Sequence, residues 1–150
     1  MRARANAFAI AALCLAALMP TAGQTKTLPY DHIHLNVPDP AAGANWYEKY
    51  FGGKRITEAP DRLMFGSTRF MFLRKADAAP SAGSAIDHVG FSVPDLDAKM
   101  KELTSKGVQA TSEPRPLSLP NGPSINFAYV AGPAGARIEL VERPGLKPGQ

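Results

Sequence analysis

Two short phrases constrain this chain more than anything else in it. "YDHIHLNVPDP" runs from Tyr30 to Pro40 and "IDHVGFSVPDL" from Ile86 to Leu96. Aligned at an offset of 56 residues, Asp31 meets Asp87, His32 meets His88, Val37 meets Val93, Pro38 meets Pro94 and Asp39 meets Asp95. Repetition in so short a chain implies two copies of one supersecondary unit. All 3 histidines of the protein lie inside the two phrases, so the repeat also carries the candidate chemistry.

Each phrase reads as a strand followed by a helix. "HIHLNV" and "HVGFSV" alternate with period two. Ile33, Leu35 and Val37 therefore share one face of the first strand, and His32, His34 and Asn36 the other. In the second, Val89, Phe91 and Val93 oppose His88, Gly90 and Ser92. Val-Pro-Asp then stops the strand and offers Asp39 or Asp95 as a helix cap. The helices "PAAGANWYEKYF" and "LDAKMKELTSK" end at Gly52–Gly53 and Gly107, where glycine stops a helix. Leu96, Met100 and Leu103 fall at helical spacing, and the stripe Trp46, Tyr47 and Tyr50 reads as core packing rather than a ligand site. Three shorter strands are expected after each helix. In the first copy they lie near Lys54–Glu58, Arg62–Phe65 and Arg69–Arg74. In the second they lie near Val108–Ser112, Ser124–Val130 and Ala136–Glu142. The Pro- and Gly-rich "EPRPLSLPNGP" (Glu113 to Pro123) reads as a loop. The unit is β-α-β-β-β, twice, which predicts an α+β fold.

The ends set the context. Arg2 and Arg4 precede an apolar run from Ala7 to Met19, Pro20 breaks it, and Thr21 to Gly23 are small. Met1–Gly23 reads as a secretory signal peptide and 24–150 as one domain, with module one about 29–77, module two about 85–143 and a loose tail 144–150. A retained membrane anchor is the competing reading of the apolar run. Cys14 is the only cysteine and leaves with the signal, so the mature chain has no disulfide, no thiol nucleophile and no thiolate metal ligand. Removing the two signal arginines leaves 15 of the 17 basic residues against 13 acidic ones. That balance gives no argument for nucleic acid as a partner. The expectation is a periplasmic protein, free of the membrane after cleavage, monomeric or homodimeric, with a small-molecule substrate.

The polar strand faces carry the candidate site. His32 and His88 are equivalent positions, and a pseudo-twofold pairing of the modules would turn both toward one cavity. "ARIELVE" sets Glu139 between Ile138 and Leu140, where an unpaired charge is costly. Two His and one Glu would make a facial triad for Fe, Mn, Zn, Ni or Co. A buried ion pair with Arg137 is the rival account of Glu139.

The paired β-α-β-β-β units, the Asp-His phrases and the Glu of the last strand together resemble the vicinal oxygen chelate superfamily, from Tyr30 to Arg143. That group includes glyoxalase I, extradiol dioxygenases, methylmalonyl-CoA epimerase, fosfomycin-resistance transferases and bleomycin-binding proteins. The resemblance implies two modules forming a curved, cup-like mixed sheet around a central cavity, with His32, His88 and Glu139 as metal ligands. It implies a divalent-metal lyase, transferase or dioxygenase acting on a substrate with vicinal oxygens. The alternative it offers is a metal-free, drug-sequestering module of the bleomycin-resistance type.

One departure from the family pattern and one difference between the copies bear on the chemistry. Superposing "RFMFLRK" (Arg69 to Lys75) on "RIELVER" (Arg137 to Arg143) puts Met71 where Glu139 stands in the second copy. A thioether is a poor ligand for hard divalent ions, which disfavours glyoxalase or epimerase chemistry. His34 has Gly90 as its equivalent, so the cavity is asymmetric. His34 is a candidate general base, substitute ligand, hydrogen-bond partner of a ligand, or plain cavity-lining residue. Arg137, Asn36, Tyr129 and Asn126 are substrate-binding candidates, but parity puts Tyr129 and Asn126 on opposite faces of one strand.

Overall fold

A computed structural model describes residues 30–57, 59–118 and 124–145. Met1–Gly23, read in the sequence as a signal peptide, the end of the tail and residues 119–123 of the insertion lie outside the described residues. The element order is β1 (His32–Val37), α1 (Pro40–Phe51), β2 (Lys54–Ile56), β3 (Ala59–Phe65), β4 (Thr68–Arg74), β5 (Val89–Ser92), α2 (Leu96–Ser105), β6 (Arg115–Leu117), β7 (Ile125–Ala131) and β8 (Arg137–Glu142). This is β-α-β-β-β twice, an α+β fold of two mixed sheets. The strand orders are β1-β4-β3-β2 and β5-β8-β7-β6, with β1–β4 and β5–β8 parallel and the other pairs antiparallel. The two sheets are hydrogen-bonded separately, with β1 and β2 at the edges of one and β5 and β6 at the edges of the other.

The helix caps are those the sequence offers. Asp39 accepts from the Ala41 and Ala42 amides at 2.9 and 3.2 Å, and Asp95 from Ala98 at 2.8 Å. Gly52 ends α1 at φ 70°, a conformation that costs glycine nothing. Alternation along β1 is clean: His32, His34 and Asn36 are exposed, while Ile33, Leu35 and Val37 turn toward the core.

The apolar faces meet the helices. Val37, Phe70, Phe72 and Leu63 bury against Ala44 and Tyr47 of α1; Ile138, Leu140, Ala128 and Val130 bury with Leu96, Met100 and Leu103 of α2. All belong to one continuous core. The stripe Trp46, Tyr47 and Tyr50 is core, as its spacing implies. Between the modules, Phe91 of β5 touches Phe51, Phe65 and Phe70, with ring centroids 4.6–5.8 Å apart. Lys99 donates to the Tyr50 carbonyl at 3.1 Å, joining α2 to the end of α1.

One strand sits elsewhere than its pattern implies. Val108–Ser112 forms no full strand: it meets β7 through the Ala110–Val130 bridge, with the Ala131 amide donating to the Gln109 carbonyl and the Thr111 and Ser112 amides to the Tyr129 carbonyl. The strand at the β7 edge of the second sheet is β6, inside the segment read as a loop. Proline lacks the amide that a central strand needs but is tolerated at an edge, so Pro114 and Pro116 disguised it. Among the described residues, no helix is long and apolar enough to cross a membrane.

Candidate functional site

The parallel registers fix which residues are equivalent. His34 pairs with Met71 across β1–β4, and Gly90 pairs with Glu139 across β5–β8. Met71 thus stands at the Glu139 position, as the superposed sequences imply. His32 likewise pairs with Arg69.

Each module opens on the same ion pair. The Asp31 carboxylate receives Arg69 Nη1 at 2.6 and 2.9 Å. The Asp87 carboxylate receives Arg137 Nη1 at 3.0 Å. The aspartate of each phrase thus ties the start of its strand to the arginine opening the parallel neighbour. Sequence reasoning passed over these two aspartates, although their repetition beside His32 and His88 was the available signal. The pairing also answers the rival account of Glu139, since Arg137 turns to Asp87 and stacks on the Tyr129 ring, 3.8 Å from its centroid.

The second module builds a compact polar cluster. His88 Nδ1 lies 2.9 Å from Asp87 Oδ1, and its Nε2 lies 3.4 Å from Glu139 Oε2. The Gly83 amide donates to Asp87 at 2.6 Å. That bond first, and His88 second, hold the Asp87 carboxyl below the ordinary carboxylate range. An ionised Asp87 favours the His88 tautomer with its proton on Nδ1, and in that tautomer Nε2 faces Glu139 as an acceptor. Two acceptors facing each other call for a cation or a proton between them. Two ligands each about 2.1 Å from a tetrahedral ion stand about 3.4 Å apart. The His88–Glu139 pair has that spacing.

Tyr129 is Glu139's partner in the β7–β8 ladder. Burial, and then the Glu139 charge, raise its phenol above the ordinary value. Its ring meets His88 edge-on at 5.5 Å. Ile125, Phe127 and Val141 extend this face as an apolar floor. Asn126 lies on the other face beside Glu142 and Pro116, so Tyr129 is the one of the two that reaches the site. Gly90 is Glu139's neighbour in the ladder, and a Cβ there would make ordinary van der Waals contact with Glu139 Oε2 at 3.6 Å.

The first module contributes separately. His32 is exposed, with Nδ1 3.6 Å from Asp31, and its ring lies 4.9 Å from that of His34. No hydrogen bond, ion pair or ring contact joins either of them to His88 or Glu139 among the described residues. No group of three or more His, Cys, Asp or Glu there could hold a metal ion. Of the three expected ligands, His88 and Glu139 come together and His32 stands apart. A cavity of about 300 Å³ between the modules is lined by His34, Asn36, Lys75, Ser81, His88 and Arg137, among others. His34 and Asn36 thus line the same cavity as His88 and Arg137.

The duplicated fold and its polar faces define a class, and comparison with known families agrees. The model of the glyoxalase/bleomycin resistance protein/dioxygenase superfamily matches residues 30–140. The chain belongs to that superfamily. Among solved structures, a protein from the mobile metagenome of V. Pseudocholerae aligns with TM-score 0.62 and 23% identity, over 81% of this chain and 99% of that one. A virulence protein from Salmonella typhimurium aligns with TM-score 0.60 and 22% identity, over 78% and 98%. A lactoylglutathione lyase from Agrobacterium tumefaciens aligns with TM-score 0.57 and 17% identity, over 81% and 100%. These likenesses speak for the fold alone. No curated protein matches.

Proposed function

We propose that this is an exported, periplasmic metalloenzyme of its superfamily, acting on a small substrate whose vicinal oxygens chelate a divalent ion in lyase, transferase or dioxygenase chemistry. The observation that carries the reading is the His88–Glu139 pair, spaced at 3.4 Å as two ligands of one ion and oriented by Asp87. His88 and Glu139 would hold Fe, Mn, Zn, Ni or Co, and the ion would supply Lewis-acid stabilisation of a substrate oxyanion. Asp87 keeps the proton on Nδ1 of His88. Arg137 and Asn36 orient the substrate, the Tyr129 ring covers the cluster, and an imidazole nitrogen of His34 takes and returns the substrate proton.

His32 remains the third ligand in this reading, and the source that fits is a second copy. Within one chain His32 lies in the first module's half of the site, beside His34 and away from Glu139. A homodimer would set one copy's first-module half-site against the other copy's second-module half-site.

Metal analysis of the mature protein and of His32→Ala, His88→Ala and Glu139→Ala tests both statements. Wild type is expected to hold one ion per chain and each variant almost none. Stoichiometric metal surviving all three substitutions sinks the assignment. Co-refolding His32→Ala with Glu139→Ala separates a shared site from an intrachain one. Each mixed dimer regains one complete site of two, so about a quarter of all sites return. No recovery rules out sharing. Tight small-molecule binding by metal-stripped protein, unaffected by His88→Ala, would point to a sequestering module instead.

A further inference from the structure

We propose that His32, His34 and Met71 form a second metal site, on the first module alone, for a soft monovalent ion: Cu(I), with Ag(I) as its redox-stable analogue. The two imidazoles project from the same face of β1, with ring centroids 4.9 Å apart. Met71 is the direct partner of His34 in the parallel β1–β4 ladder, so its side chain rises from the same face beside that imidazole. One thioether and two imidazoles thus rise from neighbouring positions on one face of the sheet.

The donor chemistry selects the ion. Thioether and imidazole suit Cu(I), whereas Mg, Ca and Mn prefer carboxylates and carbonyls. A ring nitrogen lies about 1 Å from its centroid, so side-chain rotation lets both imidazoles reach an ion about 2 Å from each. His34 has no hydrogen bond or ion pair among the described residues, so nothing must be broken to recruit it. Charge points the same way. Arg62 partners Met71 from β3, and Arg69 partners His32 but is neutralised by Asp31. The repulsion from Arg62 is twice as large for a dication as for a monovalent ion at the same distance. Met71 at the position of Glu139 thus turns one half of a duplicated site from a hard ligand set to a soft one.

The soft site needs neither His88 nor Glu139, so its Cu(I) affinity is tested apart from the divalent site; the two share His32 as a ligand, and Cu(I) would also occupy His34, the proton-transfer residue of the divalent reading. The test is anaerobic titration of the purified, metal-free protein with Cu(I) against a chromophoric Cu(I) chelator. Wild type is expected to withdraw one equivalent. His34→Ala and Met71→Leu should each weaken binding by roughly 100-fold or more, since loss of a direct ligand exceeds the loss seen for an outer-shell partner. Glu139→Ala should bind Cu(I) as wild type does while losing its divalent ion. Met71→Leu conserves volume at a half-buried position, and circular dichroism checks that it folds. X-ray absorption should show a sulfur neighbour of copper in wild type and none in Met71→Leu. The proposal is overturned if wild type withdraws no Cu(I), if His34→Ala and Met71→Leu bind as wild type, or if Glu139→Ala abolishes Cu(I) binding too.

Discussion

Asp87 puts three duties on one carboxylate: it accepts from the Gly83 amide, holds His88 Nδ1 and pairs with Arg137. Its lowered pKa gives the sign of a pH effect. The folded state favours the ionised form, so the stabilisation is present above the ordinary carboxyl value of about 3.9 and fades as pH falls through the lower folded value. Asp87→Asn should therefore melt below wild type at neutral pH, and the gap in Tm should close on acidification. A gap that stays constant in calorimetry from neutral to acid pH would refute this account. Tyr47 makes the opposite case. Its hydroxyl is buried without a partner among the described residues, and burial raises its pKa far above the usual phenol range. An unpaired buried hydroxyl costs about 1–3 kcal/mol, so Tyr47→Phe should leave stability unchanged or raise it in urea denaturation. A loss above about 1 kcal/mol would mean the hydroxyl has a partner in solution.

Elements were legible wherever local chemistry decides them. Period-two alternation located β1 and β5, and Val-Pro-Asp with a terminal glycine bounded both helices to within a residue or so. The second module's edge strand was not legible, because an edge strand needs few amides and tolerates the prolines that mark loops. Packing at an element junction was also out of reach of pattern. Gly53 joins α1 to β2 in a buried position, and a Cβ there would stand 2.7 Å from the Phe65 ring and 2.9 Å from Leu63 Cδ1. Leu63 is fully buried, and Phe65 is pinned by Tyr47, Phe70 and Phe91. Neither can give way cheaply. Gly53→Ala should cost about 1–3 kcal/mol by chemical denaturation. A neutral result would show that the α1–β2 junction repacks.

At the scale of the whole molecule, sequence reasoning named the site's faces but not their meeting. Strand parity says that His32 and His88 each project from a polar face. It does not say whether those faces meet within one chain, because that depends on how two modules 56 residues apart dock. Docking is set by side chains such as Phe91, which reads in sequence as one more apolar strand residue. Its ring lies against Phe51, Phe65 and Phe70 of the other module, and the core shared by both modules predicts that they unfold as one unit. Trp46, the only tryptophan, packs on α1 against Tyr47, Tyr50 and Phe51, so its fluorescence reports on module one. Far-UV circular dichroism reports on both modules. In wild type the two signals should fall together on urea denaturation. Phe91→Ala removes the aromatic that spans the interface. Full truncation of a buried Phe costs about 3–5 kcal/mol, and half-buried Phe91 should fall at or below the lower end. If Phe91 couples the modules, the two signals should then separate, with one module unfolding before the other. A Phe91→Ala variant that loses stability while both signals still coincide would show that the helix–helix contacts at Tyr50 and Lys99 suffice to hold the modules together.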